Sequence, residues 1–80
     1  MLGQPWQTNL LRDQRALWSV TMGTESGVGS VEACGVRCYR RTGCVGAEYD
    51  GASGECRLFA SGGLSGVFET APGVAIIRTQ

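Results

Sequence analysis

The sequence predicts an α+β domain: a small antiparallel sheet packed on one helix and stapled by two disulfides. Three observations carry this. All four cysteines fall in one stretch, in the order Cys34-x-x-x-Cys38, then Cys44, then Cys56. A capped helical pattern runs through the first two of them. The segments around it alternate in polarity or are β-branched, with glycine-rich turns between. At 80 residues the chain makes one domain. A core of that size is marginal, and small domains commonly add a cross-link or an oligomer contact.

Residues 1–15 read as an N-terminal arm or extended segment, in which Trp6, Leu10 and Leu11 are apolar without a clear period. Residues 16–80 read as the domain. From Ala16 to Met22 the chain alternates, with Trp18, Val20 and Met22 on one face, the pattern of a half-buried strand. Gly23 to Gly29 is a loop. Ser30 is a good N-cap, Glu32 sits in the first turn where the helix dipole favours an acid, and Arg37, Arg40 and Arg41 lie toward the end where it favours cations. Val31, Cys34 and Cys38 share one face, and Gly43 suits the left-handed C′ position. The spacing predicts a helix over about 31–41.

Cys44 to Asp50 reads as a strand, Asp50 to Gly54 as a turn, and Glu55 to Phe59 as the returning strand, with Cys56 and Leu58 on one face. Ser61 to Gly66 is a second glycine- and serine-rich loop. The apolar pair Val67-Phe68 follows, then a turn at Ala71-Pro72-Gly73. Val74 to Arg78 closes the chain as a strand, three of its five residues being β-branched.

Cys34 and Cys38 stand one helical turn apart and face the same way, which holds their sulfurs in parallel rather than facing positions. Each therefore finds a partner on the hairpin. Four cysteines allow three connectivities. A Cys38–Cys44 bridge spans only the turn at Gly43, which leaves Cys34 to Cys56; closing that larger loop contributes roughly 3 kcal/mol on the chain-entropy model. A zinc site calls for two short cysteine pairs or for histidine ligands. Here the gaps are three, five and eleven residues and histidine is absent, so neither a metal nor another cofactor is expected. Free buried cysteines in a reducing compartment are the weaker reading.

Ser30-Val31-Glu32-Ala33-Cys34-Gly35-Val36-Arg37-Cys38, then Gly43-Cys44-Val45-Gly46-Ala47-Glu48-Tyr49-Asp50, then Glu55-Cys56-Arg57-Leu58 resembles the PAN/apple superfamily, as does Ser65-Gly66-Val67 before the last strand. The resemblance covers about residues 16–80 and is strongest over 30–58. It implies a helix carrying a cysteine pair on a small antiparallel sheet, with bridges Cys34–Cys56 and Cys38–Cys44. Full apple domains add a bridge between the chain ends. Neither end here has a cysteine, so this is the minimal four-cysteine version.

The resemblance implies a non-catalytic module that binds protein or carbohydrate in an extracellular setting. Hydrophobic content of 42% with 18% charged residues is globular. Seven arginines balance seven acids, so no global field favours nucleic acid or an anionic membrane. No apolar run approaches the roughly 20 residues that span a bilayer. With no histidine as general base and the cysteines bridged, enzymatic chemistry has no obvious carrier; Glu48, Asp50 and Glu55, at the hairpin, read as solvated acids and not as a catalytic or calcium site.

Candidate contact residues are Arg37, Tyr39, Arg40, Arg41 and Tyr49, because arginine and tyrosine are favoured at interface hot spots. A second class of function is a structural subunit of a virion or extracellular filament. In that reading Trp6, Leu10 and Leu11 form an assembly arm that reaches a neighbour, and the apolar strand Val74–Ile77 is shared if it lies at an edge. The N-terminus has neither the charged nor the apolar region of a secretory signal. With disulfides expected, this points to a trimmed fragment, export without a cleaved signal, or a particle that meets oxygen after release.

Overall fold

The structure, a computed structural model, describes residues 10–78. In chain order the elements are strand β1 (Leu10–Ala16), strand β2 (Gly23–Glu25), helix α1 (Val31–Arg40) and strands β3 (Cys44–Asp50), β4 (Glu55–Ala60) and β5 (Phe68–Arg78). The strands make one antiparallel sheet in the order β1-β5-β3-β4-β2. The helix packs on one face of it, against β3, which is the α+β arrangement the sequence predicts.

The helix begins where the sequence places it. The Ser30 hydroxyl accepts from the Ala33 N–H at 3.1 Å, satisfying one of the unpaired donors of the first turn. It ends at Arg40, with Arg41 as an extended C-cap whose N–H donates to the Cys38 carbonyl. Gly43 does not occupy the C′ position expected for it. It lies beyond the cap, in the left-handed region at φ 87°, and turns the chain into β3.

β3 and β4 form the expected hairpin, closed by the Asp50 side chain accepting from the Ala52 N–H at 2.9 Å. Register sets Ala47 opposite Leu58 and Tyr49 opposite Cys56, with Ile77 on the other side of Ala47. These five residues face α1 and join Val28, Cys34 and Cys38 in the main core. Two disulfides fasten helix to hairpin: Cys34–Cys56, Cα atoms 5.5 Å apart, and Cys38–Cys44, 5.3 Å apart.

The predicted strand over 16–22 is not formed. The chain is extended earlier, as β1, so the segment read as an arm is, from Leu10 onward, the outer strand of the sheet. Leu10 and Leu11 pair with Ile77 and Ile76 of β5, and Leu10 packs against the main core. They are not free to reach a neighbour, and Trp6 lies outside the described residues. A short strand, β2, occupies part of the expected loop at 23–29. The Val74–Ile77 segment runs between β1 and β3, so it is an interior strand and offers no shared edge.

β5 is a single element of 11 residues, but it is not straight. The Arg78 guanidinium carbon sits 5.9 Å from the centre of the Phe68 ring. A straight strand would separate those residues by roughly 33 Å at its usual rise. The strand folds back at Ala71-Pro72-Gly73, where the sequence predicts a turn. Opposite it, β1 bends at Asp13 (φ 58°), whose carboxylate accepts from the Gly73 N–H at 3.1 Å.

Past this bend, Gln14–Ala16 and Phe68–Thr70 continue as a two-stranded ribbon over the second face of the sheet. The ribbon explains why Phe59, Ile76 and Glu48 are buried although the register points them away from the helix. The Ala16 N–H donates to the Glu48 carboxylate at 2.9 Å.

The sheet therefore has two unlike ends. At the Cys44 end lie the end of α1, Ala60 and Arg78. At the Asp50 end lie the start of α1, the 51–54 turn and the bend at Gly73.

Candidate interaction surface

Two loops cover the Cys44 end of the sheet and are stitched to each other. The Leu17 N–H donates to the Val67 carbonyl and the Val20 N–H to the Gly63 carbonyl, both at 2.8 Å. The Ser65 N–H donates to the Ser19 hydroxyl at 3.0 Å, and the Ser65 hydroxyl donates to the Leu17 carbonyl. Gly63 is required by proximity: a Cβ there would stand 2.6 Å from the Val20 carbonyl oxygen. The Met22 N–H then pairs with the Leu58 carbonyl and carries the chain into β2.

This stitching presents Trp18 to solvent. Its backbone is left-handed at φ 56°, an outlier for a bulky residue, and its side chain is 82% exposed. Val20 beside it is 73% exposed. Among the described residues the large hydrophobic side chains left exposed are Trp18, Val20, Tyr39, Val45 and Val67. All of them belong to the two stitched loops, the end of α1, or the start of β3. A shallow hollow of about 340 Å³ between Val45, Leu64, Gly62 and Arg78 continues the surface.

The contact residues expected from sequence fall in three different settings. Tyr39, Arg40 and Arg41 lie at this end and are exposed; the Arg41 guanidinium donates to the Met22 carbonyl at 3.4 Å, joining helix end to loop. Arg37 is partly committed, in an ion pair with Glu25 of β2. Tyr49 is not on this surface. It is 8% exposed, in the core, and its hydroxyl donates to the Val28 carbonyl.

Trp18, Val20 and Val67 are not among the contact residues the sequence points to. Alternation at 16–22 points to a half-buried strand with Trp18, Val20 and Met22 on one face. Apolar alternation is the same whether the residues face a core or solvent, and no local signal marks Trp18 as left-handed.

The acids at the hairpin are structural. Glu48 is 5% exposed, and its carboxylate accepts from both the Ala16 N–H and Arg57. Glu55 pairs with the same arginine, and Asp50 holds the turn.

Residues 13–77 match the family model described as PAN domain. No curated protein matches the chain.

Proposed function

This chain belongs to the PAN domain family, and from that premise we propose that it is a non-catalytic recognition module that binds a protein or carbohydrate through the Cys44 end. Modules of this family are in general non-catalytic and mediate protein or carbohydrate interactions. A domain carrying two disulfides suits an extracellular or otherwise oxidising setting.

The observation that carries the choice of surface is Trp18. The backbone on either side of this exposed indole is fixed by hydrogen bonds, so little backbone freedom is lost on binding, and tryptophan is enriched at recognition hot spots. Tyr39, Arg40, Arg41 and Arg78 lie at the same end of the sheet and are of the types enriched at such sites, and Arg37 extends the set along the helix. The disulfides hold the helix end and the hairpin in fixed relation beneath them.

A glycan array and a pull-down with the oxidised protein test this reading. Retention of a protein or glycan, lost in the triple variant Trp18→Gly, Arg40→Glu, Arg41→Glu, is expected. No binding in either format, or binding unchanged in the variant, overturns it.

A further inference from the structure

The zero net charge of the chain hides a polarity. Arg40, Arg41 and Arg78 all lie at the Cys44 end, and among the described residues none of them makes an ion pair with an acid. The segments at that end, residues 17–22, 39–46, 60–67 and 76–78, contain no acid at all. The remaining four arginines stand against all seven acids. Asp13, Glu32, Asp50 and Glu55 lie at the opposite end, by the bend, the first helical turn and the 51–54 turn.

The acidic end also carries a cleft. It has a volume of about 360 Å³ and opens between the start of α1 and the bend in β1 and β5, lined by Val31, Tyr49, Val74, Ala75, Arg12 and Asp13. One end is thus a basic surface with an exposed indole. The other is richer in acids and has a recess with apolar walls at Val31, Val74 and Ala75 and a polar rim at Arg12 and Asp13.

We propose that this chain self-associates head to tail, Trp18 of one copy entering the cleft between Val31 and Gly73 of the next. The arginines of the first copy then lie against Asp13, Glu32 and Asp50 of the second. Two different surfaces meet in such a contact, so it does not close on itself by two-fold symmetry and extends past the dimer, into a ring or an open chain. Edge-strand pairing is a poorer route. The β1 edge is interrupted by the Asp13 bend and carries Arg12 and Arg15, and β2 is only three residues long. The contact goes beyond the recognition function and competes with it, because a ligand on the Cys44 end and a second copy exclude each other.

Light scattering on the oxidised, full-length chain tests this over concentrations up to about 1 mM. Two ionic strengths are compared: about 0.01 M, where charges act over roughly 30 Å, and 1 M, where they act over roughly 3 Å. At low salt the mean mass should climb past that of a dimer, and high salt should weaken association at least tenfold. Trp18→Gly removes the knob, and Arg12→Trp fills the cleft from an exposed strand position. Each should remain monomeric while keeping both disulfides and the wild-type near-ultraviolet spectrum. Mixed in equal amounts they should form a dimer and nothing larger, since one retains the cleft and the other the knob. A wild-type monomer at every concentration, a plateau at dimer, or growth unaffected by Trp18→Gly overturns the proposal.

Discussion

The Tyr49 hydroxyl donates to the Val28 carbonyl at 2.7 Å, tying the middle strand of the sheet to the loop that leads into the helix. Both residues are buried. Tyr49→Phe keeps the ring and its packing but leaves a buried carbonyl without this partner. The expected loss is about 1–3 kcal/mol in urea denaturation, with no effect on binding at the Cys44 end. Loss of binding without loss of stability would return Tyr49 to the contact surface.

Gly73 marks the fold-back of β5. Its φ of 84° is unfavourable for any residue with a Cβ, although the space around it is open. Gly73→Ala should therefore cost about 1–2 kcal/mol from backbone strain alone, read as a lower denaturation midpoint with an unchanged m-value. An unaffected midpoint would show that the bend does not need this conformation.

The two stitched loops predict opposite responses at neighbouring sites. Gly63→Ala forces a methyl group against the Val20 carbonyl and should destabilise by about 1–3 kcal/mol. Trp18→Gly removes no buried packing and relieves a left-handed backbone, so stability should stay level or rise by up to about 1 kcal/mol. Thermal denaturation of the two variants checks the pair. A large loss at Trp18 would mean that its ring is packed and not presented.

The disulfides differ in loop and in access. On the chain-entropy model, Cys34–Cys56, with a separation of 22 residues, contributes about 3 kcal/mol; Cys38–Cys44, with a separation of 6, contributes about 2. Removing the first as a Cys34→Ser, Cys56→Ser pair should therefore cost about 1 kcal/mol more than removing the second. Cys44 is half-buried whereas the other three cysteines are fully buried. Limiting reductant should open Cys38–Cys44 first, seen as alkylation of Cys38 and Cys44 before Cys34 and Cys56.

The parts of this fold legible in the sequence are those with local chemistry. Ser30 and Glu32 mark the helix start, and the small residues between Asp50 and Glu55 mark the hairpin turn. The bend at Pro72-Gly73 shows because proline and glycine punctuate the chain there. What stayed hidden depends on distant contacts. β1 has no alternation because its two halves lie on different layers, joined at Asp13. β3 is buried over Gly46–Tyr49 without a break, because the helix covers one face and the ribbon the other. The proposed surface is half legible in the sequence. Tyr39, Arg40 and Arg41 follow from the helix end, but Trp18 and Val20 are exposed only because residues 61–67 pin their loop from across the chain.

Two specific bridges hold together the frame that displays the proposed binding end, and disulfide mapping of the native protein tests that most directly. Proteolysis without reduction, followed by mass spectrometry, should recover Cys34 linked to Cys56 and Cys38 linked to Cys44, with no free thiol. Four free thiols in the native protein, or a crossed pairing such as Cys34 with Cys44, would contradict it.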